Sequence, residues 1–173
     1  RKFKFDLRIY PLTHLLTNLG LLSLEIEFVG ETGAYFAHGI KRSTLIGEVF
    51  GDIIGFHSQD STFRGGSFGK DCGEVARRST FVGKSFGDNC GRKSVESTFT
   101  GELFGPLCGN RAYNSIFTGG IFGEDCGFES KLSVYRTWDE DTLDQLFREV
   151  PRNNGNHIAL VTPNGEEIRR YSH

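Results

Sequence analysis

The sequence predicts an all-β chain, a parallel β-helix (solenoid) of about six 18-residue coils. Three observations predict it. From Ser43, Ser61, Ser79, Ser97 and Ser115 the chain repeats Ser-Thr-Phe-x-Gly-x-x-Phe-Gly-x-x-Cys-Gly plus five looser residues, with no spacer between units. A unit this short cannot bury its own apolar face and has to stack on its neighbours. Each unit also places Gly at set positions, which would cost about 1 kcal/mol apiece inside a helix. Helical repeats are in any case longer, at about 33 residues or more.

Numbered 1 to 18 from its Ser, the unit has four columns of small or apolar residues. Column 3 holds Leu45, Phe63, Phe81, Phe99, Phe117 and then Tyr135; column 8 holds Phe50, Phe68, Phe86, Phe104 and Phe122. Column 12 holds Ile54, Cys72, Cys90, Cys108 and Cys126; column 16 holds Ser58, Ala76, Ser94, Ala112 and Ser130. The gaps of 5, 4, 4 and 5 fill the period, as in a coil whose sides each send a side chain inward. Like residues then form ladders at the ~4.8 Å strand spacing. The glycines of columns 5, 9 and 13 are expected at corners with positive φ. A degenerate leading copy sets Phe28 in column 3 and, after a one-residue deletion, Gly33 in column 9 and Phe36 in column 12. The coils so counted span residues 26–132 and make a rod of roughly 25–30 Å.

The expected organisation is an N-terminal strand cap over 1–25, the β-helix over 26–135 and a C-terminal α-β-β cap over 136–173. A bare solenoid end is an unpaired edge that caps must cover. Phe3, Phe5, Leu7 and Ile9 alternate as in a half-buried strand, and 12–22 is an apolar helix or turn. Thr137 and Glu140 have capping-box spacing. Leu143, Leu146, Phe147 and Val150 make one helical stripe, which Pro151 stops. Asn164-Gly165, between 157–162 and 167–171, signals a hairpin. A helix followed by a wing for nucleic acid, using Arg169 and Arg170, is the sharper alternative to a plain cap.

The net charge of −2 argues against a generic polyanion binder. No apolar run reaches the ~18 residues of a membrane-spanning helix. No signal peptide is visible, and the chain starts at Arg1 with no Met, so the expectation is a cytoplasmic protein whose initiator or leader is missing. Outward column 2 carries Thr44, Thr62, Thr80 and Thr98, but Arg64 in column 4 breaks any ordered ice-binding array. A flat, partly apolar face remains, suited to a partner.

Four cysteines at constant spacing invite a metal site. Stacked coils would spread their sulfurs over ~14 Å, whereas tetrahedral zinc needs ligands at ~2.3 Å from one point. Ile54 and Phe36 occupy the same column, so the expectation is a packing ladder, with no metal and no cofactor. The weak catalytic candidates are His38 and His57, which fall on one edge of successive coils. Arg77, Arg78, Arg92, Lys93 and Arg111 make a basic edge for an anionic ligand, with Glu74, Glu96 and Glu129 among them. Asp52, Asp71, Asp88, Glu124 and Asp125 collect on another edge. There is no phosphate loop, nucleophile elbow or HExxH motif.

The 18-residue coil equals a turn of the left-handed β-helix of hexapeptide-repeat acyltransferases, but the hexapeptide signature is absent. The Phe-centred units with small residues and inward ladders resemble pentapeptide-repeat solenoids. The motif Ser-x-Phe-x-Gly-x-x-Phe-Gly-x-x-Cys-Gly is also similar to repeats of uncharacterised prokaryotic and archaeal proteins. The resemblance covers 26–135 and implies a solenoid; it implies no activity.

The leading expectation is therefore a non-enzymatic interaction or scaffold protein that presents a rigid face to another protein. A homo-oligomer is second among partners, nucleic acid is not favoured, and no membrane partner is expected. Two alternatives stand beside it. One is a transferase or hydratase-type enzyme with an intersubunit site near His38 and His57. The other is an anionic-polymer or nucleic-acid binder along the Arg77–Arg111 edge.

Overall fold

A computed structural model describes residues 2–6 and 25–171. Its body is a parallel β-solenoid in which each repeat makes one coil. The first side of the coils forms β1 (Lys2–Asp6), β2 (Glu25–Val29), β3 (Thr44–Ile46), β5 (Thr62–Arg64), β7 (Thr80–Val82), β9 (Thr98–Thr100), β11 (Ile116–Gly119) and β13 (Val134–Thr137). The second side forms β4 (Val49–Phe50), β6 (Ser67–Phe68), β8 (Ser85–Phe86), β10 (Leu103–Phe104) and β12 (Ile121–Phe122). With β14 (His157–Val161) and β15 (Glu167–Tyr171), the first side becomes a ten-stranded sheet; the second is five-stranded. A third row of single parallel bridges links Lys41, Gln59, Arg77, Val95, Tyr113 and Lys131.

Register pairs like with like: Phe63 with Phe81, Phe81 with Phe99, Phe99 with Phe117 and Phe117 with Tyr135. All four expected columns are buried. Rings within column 3 stack with centroids 4.6 Å apart at Phe63–Phe81 and 4.8 Å at Phe81–Phe99. Column 8 stacks the same way, with 4.8 Å at Phe68–Phe86 and at Phe86–Phe104. These separations equal the strand spacing, so the backbone ladder imposes the ring distance. Between columns the rings meet edge to face, as Phe86 does with Phe99 at 6.3 Å and 77°. Both arrangements suit the aromatic quadrupole. Tyr135 closes column 3, donating its hydroxyl to Gly109 O at 3.3 Å. Burial pushes its phenol well above the ordinary value.

A fifth inward column was not anticipated. The column 1 serines (Ser43, Ser61, Ser79, Ser97, Ser115 and Ser133) are all buried. Each of Ser61, Ser79, Ser97, Ser115 and Ser133 donates its hydroxyl to a carbonyl two residues back. The same oxygen accepts the N–H of the preceding coil's Ser, as Ser79 Oγ does from Ser61 N at 3.3 Å. A buried hydroxyl is thereby satisfied twice, which removes most of its desolvation cost.

The glycines correct the expectation about corners. Only column 13 has positive φ, for example Gly73 at 66°. The left-handed turns otherwise fall on non-glycine residues such as Asp71, Val75 and Arg78. Columns 5 and 9 need Gly for closeness instead. A Cβ on Gly83 would lie 2.7 Å from the Phe68 ring, and one on Gly87 would lie 2.8 Å from the Gly69 backbone.

The leading coil also differs from its expected register. Ile26, not Phe28, pairs with Leu45 in column 3, whereas Glu31 already bridges Val49. The coil therefore carries one extra residue at its first corner rather than one fewer. That insertion frees Phe28 to fill column 8 in space. A Cβ on Gly47 would overlap the Phe28 ring as one on Gly65 would overlap Phe50. Thr32, in the backbone register of Phe50, is too short for that role. Gly33 and Phe36 lie where the sequence places them, and Phe36 is buried.

At the N-terminus β1 pairs in parallel with β2, so it prolongs the sheet. The expected continuation through 7–10 and the helix or turn over 12–22 lie outside the described residues. At the C-terminus α1 (Glu140–Glu149) replaces the later sides of the seventh coil. Its N-cap is Asp139, which accepts from Thr142 N at 2.7 Å. Thr137 instead accepts from Asp139 N and donates to Gly120 O, so the Thr137–Glu140 capping box does not form. The bond from Thr142 holds the Asp139 carboxyl below its usual range. This cap therefore stabilises the fold above the ordinary carboxylate pKa and fails as pH falls through the lowered value. Leu143, Leu146 and Val150 are buried as the stripe requires, and Phe147 packs edge to face on Tyr171.

The chain then re-enters the ladder. Asn154 O accepts from Leu132 N, and His157 N donates to Ser133 O at 2.9 Å. Asn156 Oδ1 accepts from Ser133 N at 2.9 Å, taking the place of the next serine hydroxyl. β14 joins β13 in parallel and β15 joins β14 in antiparallel order, so the hairpin extends the sheet.

Two stability predictions follow from this packing. Phe81→Ala should cost about 3–5 kcal/mol, since stacked neighbours on both sides cannot collapse into the gap. Asn156→Ala should cost about 2–3 kcal/mol by stranding the buried Ser133 N–H and removing the Asn156 amide from the Pro151 and Ser130 carbonyls, the latter keeping its bond from Asn154. Urea unfolding of each variant measures both.

Candidate functional site

A concavity lies on the third side of the solenoid, near its N-terminal end. His38, Gly39, Lys41, His57, Ser58, Gln59, Val75, Arg77 and Arg78 line a groove of about 550 Å³. Two separate sequence candidates, the histidine pair and the start of the basic edge, meet here. The fold brings them together simply. His57 in column 15 and Arg77 in column 17 flank the inward column 16, so their side chains leave the same edge. The His38 and His57 rings stack with centroids 6.0 Å apart at 17°. Phe56 buttresses both, at 5.0 Å from His38 and 4.4 Å from His57. Lys41 and Gln59 join the groove from outside the predicted candidates. Their signal was membership of column 17, which the bridge row aligns with Arg77.

The remaining basic edge is largely paired with acids one coil away. Arg78 grips Asp60 through two nitrogens, at 2.6 and 3.1 Å. The Arg78 hydrogen bond holds the Asp60 carboxyl below its usual range and raises Arg78 in turn. Arg92 pairs with Glu74 at 3.5 Å, and Arg111 pairs with Glu129. Arg77 and Lys93 make no ion pair among the described residues. The acidic edge is mixed as well: Lys70 pairs with Asp88 at 3.2 Å. Two of the five expected basic-edge cations are thus left open, and only Arg77 of these lines the groove.

The cysteines form a fully buried row of free thiols. Cys90 and Cys108 sulfurs stand 3.3 Å apart. Burial pushes the thiols of Cys72 and Cys108 well above their ordinary value, and the neighbours acting on them are thiols and, for Cys72, Asp71. At Cys90, between them, burial acts in the same sense, but the hydrogen bonds from Cys108 and Cys72 outweigh it and lower the thiol to about 6. Among the described residues no cluster of three or more His, Cys, Asp or Glu could hold a metal ion. No described helix is long and apolar enough to cross a membrane.

The outer face of the second sheet changes character along the rod. Column 7 runs Val49, Ser67, Ser85, Leu103 and Ile121. Leu103 and Ile121 are direct register partners and are 47% and 54% exposed. Beside them Trp138 lies over Gly120, so close that a Cβ there would meet the indole at 2.8 Å. Column 7 is serine in the middle coils, so the repeat consensus carries no sign of this apolar patch.

No family model, curated protein or solved structure matches the chain.

Replacing Cys90 by Val should change unfolding free energy by no more than about 1.5 kcal/mol, as for a near-isosteric apolar swap. Metal analysis of the same variant tests the ladder directly. Loss of a stoichiometric ion on that change would show that the row is a site.

Proposed function

We propose that the protein is a non-enzymatic interaction module whose rigid solenoid presents a docking face to another protein. The observation that supports this best is the Leu103–Ile121 pair beside Trp138. Two large apolar side chains stand half exposed on consecutive strands, where the preceding coils carry serine. Adjacent exposed apolar groups on an otherwise polar sheet face mark interaction surfaces. Glu102 and Glu124, both exposed, flank the pair in sequence and give the patch an acidic rim. A partner with an apolar centre and basic surroundings fits that chemistry.

The inward ladders of small and aromatic residues also support the likeness to pentapeptide-repeat solenoids as a description of the architecture. The enzymatic alternative has less behind it. His38 and His57 contact each other and Phe56, and a general base needs a substrate proton within reach and a group to orient it.

The double variant Leu103→Glu, Ile121→Lys should fold normally and lose its partner in a native pull-down read by mass spectrometry. His38→Ala with His57→Ala should keep that partner. If the first variant retains the full set of captured proteins while the second loses it, the docking face is wrongly placed. Sedimentation of the purified chain separates a foreign partner from a second copy.

A further inference from the structure

We infer that the groove beside His38 and His57 is a binding site for one small phosphate-type anion. Lys41, Arg77 and Arg78 line the groove together with the two histidines, and no carboxylate lines it. Of these, Arg78 is neutralised by Asp60, and the other nearby acid, Glu74, is held by Arg92, so the free charge is that of Lys41 and Arg77. Lys41 and Arg77 form no ion pair among the described residues, so their charges face the cleft unopposed.

Geometry adds to this. Lys41, Gln59 and Arg77 occupy one column on three successive coils. Lys41 and Arg77 are thus two coil steps, about 9.6 Å, apart at the backbone. Both side chains are long enough to converge above the Gln59 amide from opposite sides. A guanidinium, an ammonium, an amide NH₂ and imidazole N–H groups are all donors. A tetrahedral oxyanion with several acceptor oxygens matches that set, and the charge-assisted bonds are the strong kind.

The rod carries its own control. Arg111, Ala112, Tyr113, Glu129, Lys131 and Asn154 line a similar groove of about 400 Å³ on the same columns near the other end. There Glu129 lies in the wall and neutralises Arg111. That leaves one cation without an ion pair there among the described residues, Lys131, against two at the histidine end, Lys41 and Arg77.

The test is calorimetric titration with inorganic phosphate, inorganic pyrophosphate and a simple phosphate monoester, at constant ionic strength set with sodium chloride. One saturable site is expected. Arg77→Gln should weaken it roughly tenfold, the worth of one charge-assisted hydrogen bond. Lys41→Gln and His57→Asn should weaken it in the same direction, while Arg111→Gln leaves it unchanged. Unaltered far-UV spectra and melting profiles of the variants exclude misfolding as the cause; should one variant misfold, the other two decide. Preference for the monoester identifies a phosphorylated small molecule, and equal or tighter binding of phosphate or pyrophosphate identifies the free anion. The inference is overturned if the titrations match a sodium chloride blank. It is equally overturned if Arg111→Gln weakens binding as much as Arg77→Gln. Binding of a single-stranded oligonucleotide that every edge cation affects alike would also overturn it, because the edge would then act as a diffuse polyanion surface.

Discussion

Everything in this molecule depends on the parallel backbone ladder that stacks one coil on the next at strand spacing. The strict 18-residue period turns that spacing into chemistry, because each side chain meets its own kind one coil away. Phenylalanine meets phenylalanine at 4.8 Å, a distance at which offset rings attract. Serine meets serine, and each hydroxyl can both donate and accept. Cysteine meets cysteine as a small buried hydrophobe. A residue type that could not tolerate itself at this distance could not occupy an inward column.

The same rule explains the surface. Charged residues repeated in phase would repel, and at three places here they alternate in sign from coil to coil: Asp60 with Arg78, Glu74 with Arg92, Arg111 with Glu129. Exposed pairs of this kind contribute little each, but they remove the like-charge penalty that a ladder would otherwise impose. Where the alternation lapses, charge accumulates. Lys93 and Arg111, one period apart, are one such lapse, and Lys41 and Arg77, separated by neutral Gln59, are another. The apolar counterpart is Leu103 next to Ile121. Both features are departures from the repeat, and specificity in a repetitive scaffold resides in such departures.

Ends pose the opposite problem, since a ladder has no natural stop. The C-terminal solution is substitution group by group. Asn154 supplies a carbonyl, Asn156 a side-chain oxygen and His157 an amide, each where the next coil would have placed one. The helix covers the remaining sides with Leu143, Leu146 and Val150. β15, antiparallel and carrying the Arg170–Glu167 pair, then ends the sheet with a charged strand. Charge on an edge strand discourages further pairing.

Much of this was legible in the sequence by itself. The period, the four columns, the outward threonines, the cysteine ladder, the cap helix and the hairpin all follow from periodicity, because stacking copies of one unit leaves little freedom. The proximity of His38 and His57 was equally readable, being close to one period apart. Only the tertiary structure decided the rest. The glycines of columns 5 and 9 answer to a neighbouring coil's ring and backbone rather than to their own φ. Asp139 rather than Thr137 caps the helix, because Thr137 is engaged with Gly120. Phe28 replaces a missing column 8 residue through an inserted corner. Lys41, Gln59 and Arg77 became one wall, and Leu103 and Ile121 one patch, through contacts across coils. A repeat states which residues share a column; which of them are left unpaired depends on what each meets across space.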